Sequence, residues 1–177
     1  MKNLKGLSSN YLFGNLCQKN LIMRFLILLL FLPLKGITQL SFDTIKMSKS
    51  VEETSGLEIL GNYLITHNDS GDKPKLYIIN QEGEKIMEIE LNQLKNKDWE
   101  DIAADSENYY IADTGNNYGT RENLKIYILD KDFFLQGKIS IRYQSQTTFS
   151  REPKNEYDAE ALAVVGNQLV LFSKNRK

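Results

Sequence analysis

Leu57-Glu-Ile-Leu-Gly-Asn-Tyr-Leu64 and Leu162-Ala-Val-Val-Gly-Asn-Gln-Leu169 align without a gap, 105 residues apart. A middle copy, from Ile102 to Tyr109, keeps the same seven-residue spacing, and successive copies begin 45 and 60 residues apart. Self-similarity at intervals of this length indicates a repeat architecture, in which each unit buries its faces against its neighbours. The sequence therefore predicts at least three related structural units.

Short apolar runs separated by turn-forming residues surround each copy, and no segment has a helical period. Four short strands per repeat are typical of a β-propeller blade. The predicted fold class is all-β, a partial β-propeller of about two and a half four-stranded blades after an N-terminal signal helix. A complete small antiparallel sheet or sandwich is the alternative. The predicted strands are Leu57–Leu60, Tyr63–His67, Leu76–Asn80, Lys85–Leu91, Ile102–Ala104, Tyr109–Asp113, Leu124–Leu129, Ile139–Tyr143, Thr147–Phe149, Leu162–Val165 and Gln168–Ser173.

An acidic segment precedes each copy: Glu53-Thr-Ser-Gly56, Asp98-Trp-Glu-Asp101 and Asp158-Ala-Glu-Ala161. The first strand of a propeller blade lines the central channel, so these carboxylates are expected to converge near its axis. Carboxylates grouped with loop carbonyls provide the six to eight oxygen ligands that calcium takes. The alternative is structural, because such side chains also accept backbone N–H bonds and cap turns.

The loop from Asp113 to Arg121 is long and polar, and loops of this kind often carry function. Arg121 could bind a phosphate or carboxylate bidentately, or pair with a nearby Asp. The candidate metal ligands are Glu100, Asp101 and Glu160. The candidate ligand-binding residues are Glu58, Glu100, Asp101, Asp113, Asn116, Arg121, Asp158 and Glu160.

The net charge of −1 is the sum of a basic N-terminal segment and an acidic remainder of the chain. Residues 1–38 hold five basic and no acidic side chains, so residues 39–177 hold 17 basic and 23 acidic ones, a net charge of −6. Nucleic acid and anionic lipid both require an excess of Lys and Arg, so neither is an expected partner. Cys17 is the only cysteine and His67 the only histidine, which leaves oxygen ligands for any metal. Calcium is therefore the possible cofactor.

The N-terminal 38 residues resemble a secretory signal. Phe25–Leu34 is an unbroken apolar run of ten residues preceded by Arg24, and a membrane-spanning helix needs about 20. Met23 is a candidate for the true start, and cleavage is expected near Thr38 or Gln39. The predicted domains are the leader, 1–38, and the incomplete propeller, 39–177. Export to the periplasm, cell surface or medium is expected, with an uncleaved signal anchor as the alternative.

Several motifs in residues 50–176 resemble a group of exported bacterial β-propeller proteins of uncharacterised activity, which are distantly similar to phytase-like and esterase-like propellers. The resemblance implies a full propeller, and hence that C-terminal blades are missing here. The motifs are Glu53-Thr-Ser-Gly-Leu57, Asn68-Asp-Ser-Gly71, Asp98-Trp-Glu-Asp-Ile-Ala103, Ala112-Asp-Thr-Gly-Asn-Asn117 and Tyr157-Asp-Ala-Glu-Ala-Leu162.

Two function classes follow from these observations. The first is an exported binding or scaffold module with an acidic channel face and an unknown small ligand or protein partner. The second, implied by the distant resemblance, is a calcium-dependent phosphoesterase or related hydrolase. His67 and Ser70 are not expected to act in catalysis, because adjacent residues rarely converge into a triad and Ser70 has no nucleophile-elbow context.

Overall fold

The computed structural model describes residues 42–175. This part of the chain contains one 3₁₀ turn (Lys49–Val51), ten β-strands and no α-helix, which confirms the predicted all-β class for these residues. None of the described residues belongs to a helix long and apolar enough to cross a membrane. The predicted leader and its cleavage point lie outside the described residues. The strands are β1 (Thr54–Leu60), β2 (Tyr63–Asn68), β3 (Lys75–Ile79), β4 (Lys85–Glu90), β5 (Trp99–Ala104), β6 (Asn108–Asp113), β7 (Lys125–Asp130), β8 (Leu135–Ser140), β9 (Asp158–Val165) and β10 (Gln168–Lys174).

The described strands form three antiparallel sheets, of which the two four-stranded ones are simple meanders. The first sheet has the order β1-β2-β3-β4, the second β5-β6-β7-β8, and the third consists of β9 and β10. Two hairpins, β1-β2 and β9-β10, close through the same Gly-Asn dipeptide, with Gly61 at φ 61° and Gly166 at φ 62°. A two-residue hairpin turn needs a positive φ at its first position, which glycine adopts without strain. The aligned copies seen in the sequence are therefore equivalent hairpins.

The first strand of each sheet carries a β-bulge at the same place. In β5, Trp99 pairs with Asp113 and Asp101 with Ala112, so Glu100 is the extra residue. The pairings of β1 and β9 leave out Ser55 and Glu160 in the same way. A bulge leaves one residue outside the ladder and changes the direction of its side chain. Each repeat therefore presents one unpaired position near the start of its first strand.

The first and second sheets enclose the larger apolar core. Trp99 lies at its centre and is 0% exposed, with β2 and β3 on one side and β6 and β7 on the other. Gly56 of β1 makes the close contact with β5 possible, because a Cβ there would lie 2.6 Å from the backbone nitrogen of Ile102. The second core, between the second and third sheets, is built from Ala103, Ala112, Ile126, Leu162 and partly buried neighbours.

Side chains on the two faces of β7 belong to different cores. Tyr127 and Leu129 belong to the core shared with the first sheet, while Ile126 belongs to the core shared with the third. A strand buried on both faces reads as a continuous apolar run, as residues 126–129 do. The second sheet is thus the middle layer of the described chain.

Two predicted outer strands were wrong in position. Thr147–Phe149 is irregular, and β8 begins at Leu135 and ends at Ser140 instead of spanning Ile139–Tyr143. Leu135-Gln-Gly-Lys has no apolar alternation, because most of β8 is exposed on both faces, and such an edge strand leaves little hydrophobic signal. Residues after Ser140 instead lead into the long connection to β9.

The first strands begin earlier than predicted. The acidic segments were expected to precede them, but Trp99, Glu100 and Asp101 all belong to β5, and Asp158 begins β9. A run of charged residues resembles a turn in the sequence, and the bulge that accommodates it has no periodic signature.

Candidate functional site

Five carboxylates from three sheets lie close together, and we call them the acidic cluster: Asp69, Asp98, Glu100, Asp158 and Glu160. The charges of the other four all act on Glu100. Glu100 and Glu160 occupy the bulges of β5 and β9, whereas Asp69 follows β2 and Asp98 precedes β5. The shared bulge therefore explains how carboxylates distant in sequence come together.

Gly115 makes room for two members of the cluster. A Cβ atom at this position would collide with Oε1 of Glu100 and with Oδ2 of Asp98. The Gly115 backbone also donates a hydrogen bond to the Asp98 carbonyl, at 3.2 Å. The glycine thus holds the loop after β6 directly against the two carboxylates, with no side chain between them.

Burial and like charges both disfavour ionisation in the acidic cluster. Partial burial, followed by the charges of Asp98, Glu160, Asp158 and Asp69, raises the pKa of Glu100 to about 8. The pKa of Asp98 is also raised, chiefly by burial, although the charge of Arg121 opposes the shift. A bound cation would favour the ionised forms of both carboxyl groups.

One carboxylate oxygen of the cluster has no hydrogen-bond partner among the described residues. It is Oδ1 of Asp69, which is buried. The backbone around it is well held, since the Asp69 nitrogen donates to the Glu53 carbonyl at 3.1 Å and the Asn96 side chain donates to the carbonyl of Asp69. A buried polar atom without a partner is uncommon in native structures and calls for a ligand, water or ion.

Asp113 and Arg121, two of the candidate ligand-binding residues, lie outside the cluster and bind each other. The Arg121 guanidinium donates to Asp113 Oδ1 at 2.8 Å and to the Gly115 carbonyl at 2.7 Å. Lys125 Nζ lies 3.0 Å from the other Asp113 oxygen, and the backbone nitrogen of Asp98 donates to Oδ1 at 3.1 Å. Asp113 is 0% exposed. The Asp113–Arg121 ion pair therefore holds in place the loop that contains Gly115.

Asn116 joins the same loop to β9. Its backbone nitrogen donates to Asp158 Oδ1 at 2.6 Å, and its side chain donates to the Tyr157 carbonyl at 3.1 Å. Asn116 Oδ1 also accepts from the backbone nitrogen of Arg121 at 2.8 Å. The backbone nitrogen and the side chain of Asn116 thus all make hydrogen bonds within the protein. Asn116 therefore positions Asp158 within the acidic cluster.

Asp101, a candidate metal ligand, connects two sheets. Its Oδ1 accepts from the backbone nitrogen of Ile102 at 2.8 Å, and its Oδ2 accepts from that of Leu162 in β9 at 2.7 Å. Burial raises the pKa of Asp101, while these two hydrogen bonds lower it. Glu58 lies near Asp101 and away from the cluster, with its Oε1 accepting from the Ile59 nitrogen at 2.8 Å.

The three candidate metal ligands do not form one set. Glu100 and Glu160 are in the cluster, Asp101 bonds to the backbone of β9, and Glu160 Oε1 lies 3.0 Å from Lys174 Nζ. Within residues 42–175, no three His, Cys, Asp or Glu side chains are arranged to hold a metal ion.

Asp98, which belongs to an acidic segment, was not among the candidate residues, and Asp69 was considered only as an additional ligand from the turn after the second predicted strand. The strand register makes Asn68, not Asp69, the counterpart of Asp113, because Thr54 pairs with Asn68 as Trp99 pairs with Asp113. Asp69 therefore lies one residue beyond the strand and turns toward the cluster. The 45-residue spacing of the first two copies gives the same correspondence, since it also matches Asn68 with Asp113.

His67 is a core residue. It is 0% exposed, its Nδ1 lies 3.0 Å from the Asn68 carbonyl, and its ring meets the Trp99 ring edge-on at 5.5 Å. Burial lowers its pKa, so the neutral ring is favoured.

We expect Glu100 to lower the free energy of unfolding as the pH rises from about 5 to about 8.5, whereas buried His67, whose pKa is lowered, acts in the opposite direction up to its ordinary pKa of 6.5. The ordinary pKa of Glu100 is 4.5 and its folded-state pKa is about 8, so the folded protein binds a proton that the unfolded chain releases in this range. Since the side chain is partly exposed, the loss attributable to Glu100 is roughly 2 kcal/mol. Urea unfolding at several pH values measures it. Glu100→Gln should flatten the dependence and the exposed control Glu107→Gln should not; an equal slope in Glu100→Gln and the unaltered protein would contradict the assignment.

No family model matches this sequence, and no curated protein matches it.

Proposed function

We propose that this chain is an exported β-propeller binding module whose acidic cluster holds a cation or the cationic group of a ligand. The observation that carries the proposal is the convergence of carboxylates from three sheets around Glu100. Export rests on the sequence pattern of residues 24–39 alone.

The propeller architecture is supported by the arrangement of the first strands. The two four-stranded sheets are meanders, β1 packs against β5, and β5 packs against β9. Sheets that meet through their first strands, with the later strands further from that contact, follow the blade order of a propeller. On this proposal the bulged residues of successive blades face one another near the axis.

The chemistry of the cluster favours a cationic partner. Bringing several carboxylates together costs free energy through mutual repulsion and desolvation, and a cation in their midst offsets both. Arg121 is close enough to lower the pKa of Asp98, but its guanidinium donates to Asp113 and to the Gly115 carbonyl. A positive group from outside the chain would join Arg121 and Lys174, whose Nζ lies 3.0 Å from Glu160 Oε1, in offsetting the negative charge of the cluster.

The proposal is tested by thermal unfolding in the presence of two separate probes, calcium chloride and spermidine, at constant ionic strength. A probe that binds only the folded state raises its stability, by about 2.7 kcal/mol at a concentration one hundred times Kd. We expect at least one probe to raise Tm in the unaltered protein and in Glu107→Gln. In Glu100→Gln the same probe should bind about tenfold more weakly or worse, because one carboxylate is lost.

Two outcomes would overturn the proposal. One is that neither probe shifts Tm at about 10 mM, since a site of useful affinity would be largely filled at that concentration. The other is an equal shift in Glu100→Gln and Glu107→Gln, which would place binding elsewhere on the surface.

A calcium-dependent phosphoesterase remains the alternative expected from the sequence. Its expected phosphate-binding group was Arg121, whose guanidinium is engaged by Asp113 and the Gly115 carbonyl. No observation on the geometry favours this second function over the binding module.

A further inference from the structure

A polar cavity lies on the first sheet, at the end where β2 stops and β3 begins. Its volume is about 540 Å³, within the range of about 300–1,000 Å³ that is typical of small-molecule sites. The lining includes Glu53 directly before β1, Asn68 at the end of β2, Asp72 in the β2–β3 loop and Tyr77 in β3. None of these four residues belongs to the acidic cluster, so the cavity is a separate feature.

Arg121 lies at the same end of the second sheet, where β6 stops and β7 begins. Its guanidinium donates to Asp113 Oδ1 at 2.8 Å, and its side chain is 10% exposed. Burial raises the pKa of both Asp98 and Tyr127, and the charge of Arg121 opposes the rise in each. The guanidinium therefore lies near three side chains, those of Asp98, Asp113 and Tyr127.

Two of the residues near Arg121 have register counterparts in the lining of the cavity. Asn68 is the counterpart of Asp113, as the shared bulge shows. Tyr77 is the counterpart of Tyr127, because each tyrosine pairs with the residue two positions before the end of the second strand of its sheet.

The third residue near Arg121 also has a counterpart there. Asp98 stands directly before β5 as Glu53 stands directly before β1, and Glu53 lines the cavity. All three side chains around the guanidinium in the second sheet thus correspond to residues of the cavity. The cavity therefore lies where an arginine side chain lies in the second sheet.

The first repeat has no arginine of its own to place there. The β2–β3 loop has six residues (69–74), whereas the β6–β7 loop has eleven (114–124) and carries Arg121. No arginine occurs in the sequence between Arg24 and Arg121. The shorter loop contributes a carboxylate, that of Asp72, instead of a cation.

Asp72 is held as a charged acceptor. Its Oδ2 accepts from the Asn68 side chain at 2.8 Å and from the Tyr77 hydroxyl at 2.7 Å, and its Oδ1 accepts from the backbone nitrogen of Lys73 at 2.7 Å. Burial acts to raise the pKa of Asp72, but these hydrogen bonds outweigh it and lower the pKa. A carboxylate has about four acceptor positions, so Asp72 can also accept from a ligand.

The charge of the cavity favours a cation. Its lining contains two basic residues and four acidic ones, namely Lys49, Lys75, Glu52, Glu53, Asp72 and Glu88. Lys75 is engaged within the sheet, because its Nζ pairs with Glu88 and lies 3.5 Å from Glu90. Glu52 and Glu53 are exposed and have no ion-pair partner within residues 42–175. The negative charge beside the cavity is therefore only partly balanced by the chain.

From this correspondence we propose that the cavity on the first sheet binds the guanidinium group of a ligand, at the place that Arg121 holds in the second sheet. A guanidinium is planar, presents several N–H donors and binds carboxylates bidentately, which an ammonium group does not. A small guanidino compound and an arginine side chain of a peptide share this chemistry. The proposal does not depend on the function of the acidic cluster.

The test measures binding of two matched pairs of probes to the purified full chain by isothermal titration calorimetry. One pair is N-acetyl-arginine amide and N-acetyl-lysine amide, and the other is butylguanidine and butylamine. We expect at least one guanidinium probe to bind at one site per chain, at least about tenfold more tightly than its ammonium control. Tighter binding of the arginine amide than of butylguanidine would indicate a peptide as the source of the group, and the reverse a small compound.

Four variants of the chain locate the site. Asp72→Asn removes the carboxylate that is held in the cavity and should weaken binding about tenfold or more. Glu53→Gln removes an exposed carboxylate of the lining and should weaken binding about threefold or more. Glu107→Gln, at an exposed glutamate outside the lining, and Glu100→Gln, in the acidic cluster, should leave binding unchanged. If Asp72→Asn does not fold, the comparison of Glu53→Gln with Glu107→Gln still decides.

The proposal is overturned if neither guanidinium probe binds at about 10 mM, if each binds no more tightly than its ammonium control, or if Glu53→Gln binds as tightly as Glu107→Gln. Weaker binding in Glu100→Gln than in Glu53→Gln would also overturn it, because it would assign the guanidinium to the acidic cluster. Failure here leaves the calcium and spermidine test of the acidic cluster unaffected.

Discussion

Asp113→Ala is expected to lower the free energy of unfolding by roughly 3–5 kcal/mol. The carboxylate is 0% exposed and lies 2.8 Å from Arg121 and 3.0 Å from Lys125. Removing it leaves two cations in a partly buried place without their counter-ion, and the backbone nitrogen of Asp98 without its acceptor. The uncompensated charges account for the size of the effect.

Two further variants separate charge from packing at this site. Asp113→Asn keeps the shape and one acceptor oxygen, so it should cost less than Asp113→Ala. Asp132→Ala removes an exposed carboxylate in the β7-β8 turn and should change stability by less than about 0.5 kcal/mol. Urea unfolding followed by circular dichroism measures all three. A loss for Asp113→Ala no larger than that for Asp132→Ala would show that the buried pair contributes nothing.

Trp99→Ala should also cost about 3–5 kcal/mol. The indole is 0% exposed and centres the core between the first and second sheets. Its ring meets His67 and Tyr127 edge-on, at centroid distances of 5.5 and 6.4 Å. The alanine variant would leave a large cavity against side chains held by three strands, which cannot close over it.

Trp99→Phe tests the polar contribution of the same residue. The indole nitrogen donates to the Lys95 carbonyl at 3.1 Å, and the loss of this bond with some ring volume should cost about 1–2 kcal/mol. Because Trp99 is the only tryptophan, unfolding is followed by circular dichroism. Phe134→Ala, at a side chain 66% exposed, is the control. Equal losses for Trp99→Ala and Phe134→Ala would contradict the assigned core.

The repeat was predictable because its signal is local. The Gly-Asn hairpins need a residue that tolerates positive φ at positions 61 and 166. The sequence has glycine at both, so the turns can be recognised without the structure. Strands β2, β3, β6 and β7 are apolar on one or both faces, so their positions followed from hydrophobic pattern. The exposed strand β8 and the irregular Thr147–Phe149 segment lack such a pattern, and both were misplaced.

The candidate site was predicted only in part, because its geometry depends on the bulges. The three acidic segments were expected to converge; the charges of Asp158 and Glu160 act on Glu100, whereas Asp101 bonds to the backbone of β9 with Glu58 nearby. Asp113, Asn116 and Arg121 were grouped with them by residue type, yet they bind one another and the surrounding backbone. Asp113 binds a guanidinium whereas the charge of Asp69 acts on Glu100, and residue type alone does not distinguish these two aspartates.

The residue at the bulged position has no partner in the ladder, so strand pairing does not restrict its side chain. Ser55, Glu100 and Glu160 stand at equivalent points and differ in size and charge, while the ladder on either side of each is intact. A residue outside the ladder can change without a penalty in strand pairing. At Glu100 the space for another side chain is still limited, because Gly115 lies directly against the carboxylate. Strand pairing therefore leaves the bulged residue free to differ between repeats, while the loop packed against it sets which side chain fits.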